Sequence, residues 1–187
     1  MFAVSYSCLA REYEVLDRAR EIGEPIVARY ERMLGPAHPY VAGVHANQAL
    51  ILRAVGAREE SRFLADRART EMERAVGPDH PWALGCALNA SAAAALAGDR
   101  ETALAMSLDI AARTEADDVL GAAHPLTLSA RIALAADLRS TGDRREAERL
   151  EEVALDDLAA TLGHDHPGTR AARNRERPFW DFEPLTT

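Results

Sequence analysis

The chain has 187 residues, 22 of them basic and 30 acidic, for a net charge of −8. That balance argues against nucleic acid or an anionic membrane as the main partner, and the length suits one continuous core or a short repeat array. Every basic residue is arginine, a bias of GC-rich bacterial genomes, and alanine, leucine, arginine and glutamate, the best helix formers, dominate. Cys8 and Cys86 lie far apart, which argues against a disulfide framework and fits a reducing cytosol. No apolar run has the length of a membrane span, and the start MFAVSYSCLAREYEV lacks the layout of a signal peptide. A soluble cytoplasmic protein is expected.

One junction recurs: Leu34-Gly-Pro-Ala-His-Pro39, Val76-Gly-Pro-Asp-His-Pro81, Leu120-Gly-Ala-Ala-His-Pro125 and Leu162-Gly-His-Asp-His-Pro167. Its glycines stand at 35, 77, 121 and 163, so the spacings are 42, 44 and 42. A second glycine keeps step, with Gly56, Gly98 and Gly142 each 18 residues after a junction histidine. A fixed period in this range predicts an all-α solenoid of antiparallel helical hairpins. Glycine after Leu or Val suits the left-handed end of a helix, and proline after histidine suits the first turn of the next.

In chain order, residues 1–34 form a partial first repeat, of which 1–12 match only the latter half of a first helix. That start should leave apolar surface uncovered and favour self-association through residues 1–34, or cover by a missing partner segment. Repeat 35–76 is predicted to hold a first helix from Tyr40 to Val55 and a second from Arg58 to Val76. The second carries Phe63, Leu64, Ala68, Met72 and Ala75 near helical spacing. Repeat 77–120 has two extra residues within Thr114 to Val119, so its second helix must bulge or end early in a loop. Repeat 121–162 shows Ala147, Leu150, Val153, Ala154 and Leu158 on one face. Ala49, Ser91 and Ala135 fall at equivalent places in the first helices and allow close approach. Residues 163–177 contain a capping helix over Pro167 to Arg175. In the tail, 178–187, Pro178 and Pro184 stop regular structure around Phe179, Trp180 and Phe182. The three aromatics are expected to cover the open apolar face of the last hairpin, as terminal caps do; a recognition tag or a modification substrate is the other reading.

The junctions and the period resemble the tetratricopeptide repeats of kinesin light chain type. They are similar also to the repeats of actinobacterial FxSxx-COOH system proteins and related nucleotide-switch (STAND-type) sensors, where arginine-rich second helices alternate with such junctions. Arrays of that kind end in a short Arg-x-x-(aromatic or apolar)-Glu-Pro tail, similar to Arg177 through Pro184, although the terminus Phe-Glu-Pro-Leu-Thr-Thr does not match Phe-x-Ser-x-x. The resemblance implies a right-handed superhelix that binds a protein or peptide in a bacterial signalling or peptide-maturation system, without a cofactor. The alternative is the C-terminal sensor segment of a larger nucleotide-switch protein; an enzyme is a distant third.

Histidines 38, 80, 124 and 166 share one junction position, which predicts helix capping rather than metal binding. His164 and His166 flank Asp165 with no third phased ligand. No phosphate-binding loop, Gly-x-Ser-x-Gly or His-Glu-x-x-His occurs. The pairs Glu59-Glu60, Asp117-Asp118 and Asp156-Asp157 are solvated helix faces, since adjacent helical residues diverge. Function is expected in the groove lined by the first helices. Nine residues after their histidines stand Asn47 and Asn89, with Ala133 in the third unit. The resemblance implies that these asparagines face a bound peptide backbone, to which an amide both donates and accepts. Fifteen residues after theirs stand Arg53 and Arg139, with Ala95 between; arginine offers a fork to a carboxylate.

Overall fold

The computed structural model describes residues 16–117 and 119–182. Among them are eight helices and no strand: α1 (Leu16–Leu34), α2 (Pro39–Ala54), α3 (Arg58–Val76), α4 (Pro81–Leu96), α5 (Arg100–Ala116), α6 (Pro125–Thr141), α7 (Arg144–Leu162) and α8 (Pro167–Arg173). The expectation for residues 1–12 lies outside the described residues.

The junction chemistry explains the helix boundaries. At each His-Pro the imidazole Nδ1 accepts from the backbone N–H two residues on, Tyr40, Trp82, Leu126 and Gly168, each at 3.1 Å. The proline occupies the first turn, where a missing N–H removes no helical bond. The first helices end in a left-handed wrap. At Gly142, φ is 107°, and the next N–H, that of Asp143, returns to the Leu138 carbonyl at 2.9 Å. Asp99 and Asp143 then start the second helices by accepting from the N–H groups of Thr102 and Glu146. Helix α5 ends early, at Ala116, and the Asp117 carboxylate accepts from the N–H groups of Val119 and Leu120, both at 2.8 Å. The two extra residues of that unit are therefore taken up in a turn, not a bulge.

Each helix packs on its chain neighbours, and α2, α4 and α6 also touch one another in sequence. The second helices have no comparable contacts with each other. That asymmetry curves the stack and places α2, α4 and α6 on its inner side. Close approach rests on small side chains: Ala49, Ser91 and Ala135 are buried, as are Ala65, Ala68, Ala90 and Ala93. Larger groups such as Ile51, Met72, Leu88, Ile110 and Leu128 fill the spaces between hairpins. Ion pairs bridge successive hairpins, among them Arg62–Asp99 at 2.6 Å and Arg131–Glu115 at 2.6 Å.

The tail departs from the sequence expectation. Helix α8 stops at Arg173, because Arg175 adopts φ 60° and Glu176 donates its N–H to the Ala171 carbonyl at 3.0 Å. This is the same wrap that Gly142 makes, now at a residue with a side chain, at a cost of about 1–2 kcal/mol. The Arg175 guanidinium reaches both oxygens of Glu151, at 3.2 and 3.3 Å, and fixes the reversal. Beyond it the described tail residues do not cap the last hairpin alone but pass along α6, α4 and α2. Trp180 packs on the cluster of Leu84, Leu88, Leu120 and Leu126, and Phe182 on that of Ala42, Met72 and Cys86. The tail runs back along the inner face, because that face offers both apolar cover and backbone partners.

Candidate peptide groove

Helices α2 and α4 are buried through their length, residues 41–52 and 83–94, on every side. Neighbouring helices explain three sides of each; the tail covers the fourth. Asn89 grips one tail residue at both backbone groups: its Nδ2 donates to the Trp180 carbonyl at 2.7 Å, and its Oδ1 accepts the Trp180 N–H at 2.8 Å. Asn47 repeats the grip on Phe182, at 2.8 and 2.9 Å. One repeat of protein thus corresponds to two residues of tail, which is the side-chain period of an extended chain. Successive asparagines therefore see the same edge of the segment, and Trp180 and Phe182 face the same side.

What the rings meet follows from two glycines within the helices. Gly43 and Gly85 each lie five residues after a junction histidine. A Cβ on Gly85 would stand 2.6 Å from Trp180 Cδ1, and one on Gly43 would stand 3.3 Å from Phe182 Cβ. Glycine inside a helix costs roughly 0.5–1 kcal/mol against alanine, so both positions trade helix stability for room. The indole also lies 6.2 Å from the His124 ring.

The tail enters the groove at Arg177. Its guanidinium takes both oxygens of Asp137, at 2.6 and 2.7 Å, and reaches Ser91 Oγ at 3.2 Å. Asp137 is 1% exposed and also accepts from the Ser107 hydroxyl at 2.5 Å. A fork of this kind is the strongest neutralisation available to a buried carboxylate. Arg53 donates to the Arg177 carbonyl at 3.3 Å and lies 5.8 Å from the centre of the Phe179 ring. Arg139, at the repeat position matching Arg53, instead donates to Glu151 at 2.6 Å, the acid that also receives Arg175. The structure thus brings Asn47, Asn89 and Arg53 onto one segment and sets Arg139 at the reversal before it.

Asp137, Ser91, Gly43 and Gly85 are site residues that the sequence pattern alone does not single out. Signals for them exist: the two glycines are in phase, and Asp137 is a lone acid in Ile132-Ala-Leu-Ala-Ala-Asp-Leu138. The other histidines and Cys86 have structural surroundings. The His45 ring sits between Glu71, 2.7 Å from Nδ1, and Glu31, 3.4 Å from Nε2. His164 Nδ1 meets the Arg173 guanidinium at 2.6 Å. Cys86 is buried, and desolvation pushes its thiol far above the usual range. Among the described residues, no group of three or more His, Cys, Asp or Glu is placed to hold a metal, and no helix is long and apolar enough to cross a membrane.

Stacked hairpins with capped His-Pro junctions and a peptide-lined inner face define a tetratricopeptide-type solenoid. The tetratricopeptide repeat model matches residues 3–40 and 127–168. The structure is similar to that of the nearly identical tetratricopeptide-like repeats of a Podosopora anserina protein described as a kinesin light chain. A single-residue variant of that protein gives a TM-score of 0.74 with 21% identity, over 93% of this chain and 81% of that one. The unsubstituted protein gives 0.73 and 21%, over 93% and 82%. Comparison with curated proteins gives no match. Tetratricopeptide repeats generally mediate protein–protein interaction.

Proposed function

We propose that the chain is a non-catalytic scaffold that holds an extended peptide segment of a partner protein in its inner groove. The observation that carries this reading is the paired grip of Asn89 and Asn47 on the N–H and C=O of alternate residues of an extended segment. An amide that satisfies backbone alone accepts many sequences, which suits a scaffold. In this reading Asn47, Asn89 and Arg53 are peptide-binding residues, and Arg139 holds the reversal through Glu151. The resemblance of the arginine-rich second helices and His-Pro junctions to those of FxSxx-COOH system proteins supports a place in a bacterial signalling or peptide-maturation system.

Selection of displayed random heptapeptides on the full chain tests it. Enriched peptides should bind the parent and lose tenfold or more on the Asn47→Ala, Asn89→Ala chain, with helical content unchanged. Arg53→Ala should weaken them, and Arg139→Ala should act chiefly on stability. Peptides that bind parent and asparagine variant equally would move the site to the outer helices.

A further inference from the structure

The tail carries more information than the fact of its binding, because each of its contacts selects a side-chain type. Asp137 is a buried carboxylate whose partners are the hydroxyl of Ser107 and the fork of Arg177. In a filled groove, a segment without a cation there leaves a buried charge unpaired. Lysine would present a single point charge, whereas guanidinium matches both oxygens and still reaches Ser91. Three residues on, the Gly85 cradle admits a flat ring against the wall of Leu84 and Leu88. Two further on, Gly43 admits a second ring.

The register between arginine and rings follows from the same two-residue step. The repeat position of Asn89 is held by Ala133 in the following unit, which has no amide. Stepping back two residues from Trp180 gives Pro178, which has no N–H to donate. The missing clamp and the missing donor coincide, so groove and tail are matched position by position.

The fit at the far end is looser. A cavity of about 210 Å³ lies beside Phe182, walled by Tyr30, Tyr40, Val44, Met72 and Trp82. An occupant with a larger ring at this position would fill space that the described tail residues leave empty.

Resting on the peptide-groove reading above, we propose that the partner segment is recognised by an arginine followed three and five residues later by aromatic rings. It lies antiparallel to the repeat order and competes with the chain's own tail for the same contacts. The tail is the resident form of the ligand, and the partner is a protein carrying this pattern in an accessible extended stretch.

The probe is a labelled, amidated peptide Glu-Arg-Pro-Phe-Trp-Asp-Phe, the sequence of residues 176–182. It is titrated into the full chain and into the full chain with Arg177→Ala, Trp180→Ala and Phe182→Ala. Binding to the triple variant should be at least tenfold tighter than to the parent, whose tail competes. On the triple variant, replacing the peptide's arginine or tryptophan by alanine should cost tenfold or more. Replacing its last phenylalanine by tryptophan should gain several-fold. Asp137→Asn should weaken the arginine peptide far more than a citrulline one. If the triple variant does not fold, the Trp180→Ala chain should give the same ranking.

Equal binding of a scrambled peptide, still lost on Asn47→Ala, Asn89→Ala, would overturn the pattern and leave the peptide groove standing. Absence of any peptide binding to a folded triple variant would overturn both. Equal affinity for parent and triple variant would overturn the competition.

Discussion

At Gly43 and Gly85 the sequence sets a missing side chain against helix stability, and the two sites differ in how tightly the space is used. An added Cβ at Gly85 would meet Trp180 Cδ1 at 2.6 Å, closer than carbon atoms approach, whereas at Gly43 the nearest atom is 3.3 Å away. Gly85→Ala is therefore expected to lift the indole out of its cradle, although alanine improves the helix by roughly 0.5–1 kcal/mol. Gly43→Ala should shift Phe182 by only a few tenths of an ångström and leave the tail in place. Fluorescence in a Trp82→Phe background reports Trp180 alone: a red-shifted, quencher-accessible signal is expected for Gly85→Ala and parent-like emission for Gly43→Ala. Identical spectra for the two variants would show that the cradles do not position the rings. These glycines are legible as a phased pair, but a glycine in a helix has no meaning in sequence until the object filling its space is known.

The helix starts are the most legible elements, because the cap is local. One histidine and one proline set each first helix, and the observed bounds of α2, Pro39–Ala54, fall within a residue of the expected ones. The cap also has a chemical condition, since a ring nitrogen that accepts must be unprotonated. Burial holds the His124 imidazole below its usual range, against a weaker opposing pull from the Asp117 carboxylate. Its folded pKa lies below the unfolded one, so the unfolded state binds the proton first as pH falls. Stability from this site is complete above the ordinary imidazole range and declines through it until the lowered folded value is passed. Asparagine caps without a titrating group. A His124→Asn chain should lose the part of the pH dependence that arises in this window, measured as unfolding midpoint between pH 5 and 8 in both proteins (about the span where imidazole titrates). Parallel curves would exclude His124 as the source. The path of the tail is the least legible element. Its bonds join residues 91 and 135 positions apart, and no local signal distinguishes a cap on the last hairpin from a strap along the groove. The asparagines can be named from their phase, but Asp137 needs its partner Arg177, 40 residues away.

Over the whole molecule the tail is held by a small margin between opposing energies. Each partly buried ring contributes about 2 kcal/mol, each clamp bond about 1, and the Arg177 fork roughly 2. Ordering six residues opposes this with about 1.5 kcal/mol each. A net stabilisation of about 1–3 kcal/mol is expected, so a chain lacking residues 177–187 should unfold a few degrees lower while remaining helical. An unchanged midpoint would show the tail to be free in solution.

The match of two tail residues to one repeat also has a mechanical side. Two extended residues advance about 6.7 Å, whereas packed helix axes lie about 8–10 Å apart. Curvature of the stack, which brings inner faces closer than axes, reduces the difference. The occupied groove is therefore a ruler that sets the radius of the spring. Stretching the solenoid lengthens the inner pitch past what an extended strand can follow, so tension along the array and occupancy of the groove oppose each other. A partner that pulls on the two ends would eject the segment without touching it.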